Sequence, residues 1–135
     1  MKTQGMTLIE LLVSLIIVGI LAATGMMLYQ DHVYRARRID AIQTLLAIQM
    51  AEENYRTNNA QYGSLVQVWN GVSTTTNGYY SLSISSTSAT AYTLTATALS
   101  TQANDTESGT ACDSLVLSMS SGTETKTPSA CWLSQ

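Results

Sequence analysis

Hydrophobic positions follow three successive rhythms along this chain. From Met6 to Gln30 nearly every residue is apolar or small, and Glu10 is the only charge before Asp31. The uncharged stretch Leu11 to Gln30 is about 20 residues, enough to cross a bilayer at roughly 1.5 Å rise per residue. From Asp31 to about Tyr55 neither Gly nor Pro interrupts, and good helix formers dominate. At about 100° per residue the apolar positions there fall on two arcs. Ile39, Ile42, Leu46 and Met50 make one, and Ala41, Leu45, Ile48 and Tyr55 the other. One arc suits a sheet of the same chain, and the second predicts contact with neighbouring copies.

After Thr57-Asn58-Asn59 the period changes. Gln61 to Asn77 is polar with scattered apolar residues, read as a loop that packs on the domain and ends at the Asn77-Gly78 turn signal. Strict alternation follows. Tyr80, Leu82 and Ile84 alternate with Ser81, Ser83 and Ser85, and Tyr92, Leu94, Ala96 and Ala98 with Thr93, Thr95 and Thr97. A third run holds Leu115 and Leu117, and Ser121-Gly122 begins a turn toward Glu124 to Thr127. The pattern predicts an α+β chain: a long N-terminal helix packed on an antiparallel meander of three to four strands, one face wet and one covered.

Glu10 is the position that this patterning does not explain. A carboxylate in hydrocarbon costs about 3 kcal/mol unless a partner neutralises it. Either it sits at an interface near a helix N-terminus, where the helix dipole favours it, or it meets a positive charge.

Composition narrows the classes. With 135 residues, a formal net charge of −3 and a pI near 4.8, the chain has no electrostatic case for nucleic acid as a partner. There is no Phe, one Pro and one His, so the core must come from Leu, Ile, Val, Ala and Tyr. Cys112 and Cys131 are the only cysteines, and such a pair in an exported chain reads as one disulfide. It would close a loop of about twenty residues, worth roughly 3 kcal/mol.

Export is also written at the N-terminus, in an unusual order. A secretory signal puts its small-residue cleavage site after the apolar run, whereas here Gly5 precedes it, behind the short polar segment MKTQG. Arg35, Arg37 and Arg38 just past the run favour a cytoplasmic C-terminal flank. The cysteines favour an outside one, and that orientation is adopted.

The segment Lys2 to Gly5 followed by Met6-Thr7-Leu8-Ile9-Glu10-Leu11-Leu12 resembles the class III signal of type IV pilins and type II secretion pseudopilins. The likeness continues through Gly19-Ile20-Leu21-Ala22-Ala23 and Tyr29-Gln30-Asp31 to Arg35-Ala36-Arg37-Arg38. Gly78-Tyr79-Tyr80, Tyr92 to Ala96 and Cys131-Trp132 are more loosely similar to small PilE-type minor pilins.

The resemblance implies the type IV pilin fold in segments 1–5 (leader), 6–30 (membrane and filament-core half-helix), 31–58 (amphipathic half-helix), 59–78 (helix-to-sheet loop) and 79–135 (sheet with the disulfide loop). It implies that a prepilin peptidase cuts between Gly5 and Met6 and methylates the Met6 amine. Loss of Lys2 leaves five basic and nine acidic residues, a mature charge of −4. Glu10 would then face the Met6 ammonium of a neighbouring subunit, two buried charges that offset one another where either alone is penalised. Two positions depart from the family: Met6 stands where Phe is usual, and Met27 where many pilins carry Pro.

No catalytic constellation stands out, and neither an enzyme nor a cofactor is expected. His32 is read as a surface residue near the membrane. Asp105, Glu107 and Asp113 are read as a solvated acidic loop, with Ca²⁺ the weaker alternative. The three arginines are read as a solvated or inter-subunit salt-bridging face, and the Ser/Thr-rich strands could carry glycans. The implied function is a structural subunit that initiates or decorates a pilus for adhesion, twitching motility or DNA uptake. Its partners would be other pilin subunits in a head-to-tail helical filament, the peptidase and an inner-membrane assembly platform. A type II secretion pseudopilin, the major pilin of its system and a signal-anchored periplasmic binding module stay open as alternatives.

Overall fold

In the computed structural model of the chain, residues 7–85 and 87–132 are described, apart from the side chains of 25–28. The helix α1 spans Leu8–Asn58. The chain divides into two compact units, one up to Val33 and the other from Tyr34 onward.

In the first unit the helix stands without cover. Leu8 is 83% exposed, Leu15 67% and Leu21 65%, and apolar residues point outward on every side. A helix that is hydrophobic all round belongs in a protein interior or a membrane. Its few hydroxyls are compatible with that setting. Ser14 Oγ donates to the Glu10 carbonyl at 2.7 Å and Thr24 Oγ1 to the Leu21 carbonyl at 3.1 Å, so neither is left unpaired in hydrocarbon.

In the second unit Arg38, Ala41, Leu45, Ile48 and Glu52 are buried, a stripe at spacings of three and four that turns one helix face inward. That stripe packs on the sheet. Of the arc Ala41, Leu45, Ile48 and Tyr55, the first three are buried and Tyr55 is half-buried. Ile39, Ile42 and Leu46 are half-buried at its rim, and Met50 is exposed. The polar segment after the helix is not wholly a loop: it contains a short helix, α2 (Leu65–Trp69), opened by a capping box between Ser64 and Gln67. Gly63 precedes it because nothing larger fits. A Cβ there would lie 2.7 Å from Val68 Cγ1 and 3.1 Å from the Tyr55 ring.

Four strands form the main sheet: β1 (Tyr80–Ser85), β2 (Ala91–Ala98), β5 (Ser114–Ser120) and β6 (Thr123–Thr127), antiparallel in the order β1-β2-β5-β6. Leu82 pairs with Ala96, Leu94 with Leu117 and Ala96 with Leu115. These residues, with Tyr80 and Tyr92, form the inner face that meets the helix stripe. The outer face carries the alternating Ser and Thr residues. The β1 edge is partly covered by the incoming chain, where Leu82 N–H donates to Ser73 O at 2.8 Å and Thr75 N–H to Tyr80 O at 3.0 Å. The other edge, β6, is short, polar and charged, features that discourage strand-on-strand association.

Between β2 and β5 lie a 3₁₀ turn, Ser100–Asn104, and a small hairpin of β3 (Thr106–Glu107) and β4 (Thr110–Ala111). Both tight hairpins turn on a Ser-Gly pair with positive φ at each residue: Ser108 and Gly109 at 51° and 79°, Ser121 and Gly122 at 49° and 82°. Two successive left-handed residues match the strand twist, and glycine takes the second without strain. Cys112 and Cys131 are joined by a disulfide and wholly buried.

Candidate functional site

The first candidate site is the start of α1. Glu10 is exposed and lies in the first helical turn. The Thr7 N–H donates to Glu10 Oε2 at 3.4 Å, and the Glu10 N–H donates to Thr7 Oγ1 at 3.3 Å. This is the reciprocal arrangement of a capping box, in which each residue satisfies a helix-terminal donor of the other. Thr7-x-x-Glu10 is its sequence signature, and the opening pattern contained it. In the single chain, then, the carboxylate has local work at the helix terminus. Gly5 and Met6 lie outside the described residues.

The second site lies within the other unit, where α1 meets the small hairpin. Arg38 points into the protein with its side chain 2% exposed. Its Nη2 donates to Asp105 Oδ1 at 2.7 Å and its Nε to Asp105 Oδ2 at 2.8 Å, a two-pronged pair. Nη1 donates to Glu107 Oε2 at 3.0 Å, and Arg35 Nη2 reaches Glu107 Oε1 at 2.7 Å from the outside. Gln102 completes the cluster: its amide donates to Tyr80 Oη at 2.9 Å, to the Tyr34 carbonyl at 3.1 Å and to Asp105 Oδ2 at 3.2 Å.

The electrostatics follow from this packing. Burial alone would lower the Arg38 pKa, but hydrogen bonds and charge from Asp105 and Glu107 outweigh it and the net shift is upward. Glu107 is held below the usual carboxylate range by its hydrogen bond from Arg38, against partial desolvation and with help from the Arg35 charge. Burial pushes the Tyr80 hydroxyl up to about 12, so it stays protonated at any physiological pH. Near the other end of this helical segment, burial raises the pKa of Glu52, whose Oε2 accepts the Gly63 N–H at 2.8 Å while Oε1 has no partner. Beside it the Tyr62 and Tyr92 hydroxyls both reach Glu53, at 3.2 Å and 3.3 Å.

Two expectations are therefore corrected. Arg38 does not belong to a solvated or inter-subunit face, and Asp105 does not sit in a solvated loop, because each neutralises the other inside the protein. Arg35 and Glu107 are the partly exposed margin of the same cluster. Asp113 remains exposed, and so does His32. Among the described residues no three metal-ligating side chains converge. The remaining described cations are also engaged. Arg37 lies 4.0 Å over the Tyr79 ring, Arg56 donates to the Asn59 and Ala89 carbonyls, and Lys126 pairs with Glu124 at 2.7 Å.

An apolar anchoring helix, a stripe of the same helix laid on an antiparallel sheet, and a disulfide at the C-terminal end form one recognisable plan. Residues 28–116, more than half of the chain, match the family described as type IV minor pilin ComP, DNA uptake sequence receptor. The chain belongs to the type IV minor pilins. Residues 1–26 match the prokaryotic N-terminal methylation motif. No individual curated protein sequence matches closely enough to add to these two families. A minor pilin is a structural subunit that assembles with other pilins, and its methylation motif and apolar helix fit membrane anchoring before incorporation into a pilus. The buried cluster Arg38, Asp105 and Glu107 falls inside the matched span, whereas β6 and Cys131 lie beyond it.

Proposed function

We propose that this minor pilin is matured and assembled through its first unit, while its second unit is a folded head displayed on the filament. A prepilin peptidase cuts between Gly5 and Met6 and methylates the new amine. The apolar half-helix then holds the subunit in the inner membrane with the disulfide-bonded head in the periplasm. The assembly platform extracts it, and Glu10 exchanges its capping role for the Met6 ammonium of a neighbour. The observation that supports this most is the uncovered apolar helix, with Leu8, Ile9, Leu15 and Leu21 all at least 65% exposed. Such a surface needs lipid first and other subunits afterwards.

Glu10→Leu tests the charge pair. The subunit should still enter the membrane and fold, yet be missing from sheared pili. Normal incorporation would remove the need for a neutralising partner. Mass spectrometry of the pilus-bound chain should find an N-methylated Met6 as its first residue.

The family description favours a second reading, a part in DNA uptake. A duplex is bound mainly by cations that displace counterions from phosphates. Here the chain is acidic, and the described arginines and Lys126 are already engaged within it. We therefore read any contribution to DNA uptake as structural, made through the filament. Titration of the full chain with duplex DNA at low and moderate salt should show weak binding with a shallow salt dependence. Tight binding that weakens steeply as salt rises would instead make the head a DNA receptor in its own right.

A further inference from the structure

An open groove of about 650 Å³ lies between Thr44 of α1, the end of α2 and the segment entering β1, lined chiefly by Thr44, Trp69, Asn70, Val72, Thr74 and Thr76. Its volume falls within the range of small-molecule sites, about 300–1,000 Å³. The walls are preset by the fold. The capping box fixes α2, Asn70 ends it in a left-handed conformation at φ 53°, and the Thr75–Tyr80 and Ser73–Leu82 backbone bonds pin the opposite wall to β1.

The chemistry of the lining is selective. Among the described residues no ionisable side chain lines it, so a charged ligand finds no counter-charge there. Thr44 Oγ1 is occupied, donating to Asp40 O at 2.8 Å, and Thr75 Oγ1 accepts the Tyr80 N–H at 3.4 Å. Among the described residues, by contrast, the Trp69 indole N–H, the Asn70 amide and the Thr74 and Thr76 hydroxyls have no hydrogen-bond partner. The other indole, Trp132, donates to Thr127 O at 3.2 Å. The groove thus pairs the half-buried Trp69 indole with neutral donors and acceptors that no protein group occupies.

We propose that this groove binds a neutral saccharide. A pyranose has an apolar C–H face that packs on an indole, and a rim of hydroxyls that both donate and accept. A neutral amide and hydroxyls answer that rim without the desolvation cost of burying a charge. An anionic polymer would require cations, which the lining lacks. The site lies wholly in the folded head, so the inference goes beyond the assembly reading and does not depend on it.

The test uses the full chain in a zwitterionic detergent free of sugar, with saturation-transfer NMR on lactose and N,N′-diacetylchitobiose, and a DNA duplex as competitor. At least one disaccharide should receive saturation with a Kd on the order of 1 mM. Trp69→Ala should weaken binding about tenfold or more, with most of it restored in Trp69→Phe. Asn70→Gly keeps the left-handed cap and so the fold, checked by circular dichroism, yet should also lose affinity. Trp132→Phe should leave it unchanged. Three results would overturn the proposal: no transfer to either sugar at tenfold higher concentration, transfer indifferent to Trp69→Ala and Asn70→Gly, or displacement of the sugar by the duplex.

Discussion

The two segments of α1 handle charge in opposite ways. Between Leu8 and Gln30 there is a single charged side chain, Glu10, and the apolar residues around it have no cover from the chain itself. From Tyr34 to Asn58 the helix buries Arg38 and Glu52 wholly, with a sheet laid over them. A charge is tolerated in the second segment because its own chain brings Asp105, Glu107 or the Gly63 N–H to meet it. Among the described residues Glu10 is met only by the Thr7 N–H, and on the assembly reading proposed above its charge is neutralised by another subunit. One helix is thus specified by two solvents, and its charges show which is which.

Arg38→Ala should break the second segment most severely. Removing one member of a buried pair leaves the other charge uncompensated, which costs about 3–5 kcal/mol. Urea unfolding of the detergent-solubilised chain, followed through head-domain fluorescence, measures it. A loss under about 1 kcal/mol would mean that Asp105 reaches water once Arg38 is gone. Opening the Cys112–Cys131 disulfide with reductant comes next, at about 3 kcal/mol from restored loop entropy. It should leave the first segment indifferent, so membrane retention is expected to persist while the head loosens.

Much of this division was legible in the sequence. The apolar run, the two apolar arcs of the helix, and the alternation in β1 and β2 followed from period, because burial on one face imposes a repeat; which arc the sheet covers did not. The parts that escaped are set by contacts between residues distant in the chain. Nothing local distinguishes Arg38 from Arg35 and Arg37, three residues in four positions. Only the fold shows that Arg38 shares the buried stripe and meets Asp105, 67 positions later. The β3–β4 hairpin is a different case, since Ser108-Gly109 carries the same turn signal as Ser121-Gly122 but is flanked by strands of only two residues, too short to show alternation. Thr7-x-x-Glu10 carries its capping signature locally and was equally readable.

Glu52 offers a finer test, through pH. Its folded pKa is raised by burial, so between its unfolded and folded values the native state binds more protons than the unfolded one. Stability from this group is full below the unfolded pKa, near 4.5, and is lost as pH rises through the folded value. Glu107 runs the other way. Its folded pKa is lowered, so its contribution is present above the unfolded value and disappears as pH falls through the folded one. Glu52→Gln should therefore remove the decline on the alkaline side and leave the acid-side loss due to Glu107. An unchanged profile in the variant would show that Glu52 is not the group responsible.

Arg35→Ala is expected to have the smallest effect, and it sharpens the comparison for that reason. Arg35 bonds to the same Glu107 as Arg38, at 2.7 Å, which is shorter than the 3.0 Å from Arg38 itself. By distance alone it should matter as much. Yet its side chain is 51% exposed against 2% for Arg38, and exposed ion pairs contribute about 0–1 kcal/mol because water and salt screen them. The expected loss is under about 1 kcal/mol, and raising the salt concentration should shrink it further. The Arg38→Ala loss should barely respond to salt, since the guanidinium and Asp105 are both out of contact with solvent. If the two variants instead lose similar stability and respond alike to salt, burial is not what separates these arginines, and the contrast between the segments of the helix would rest on apolar cover alone.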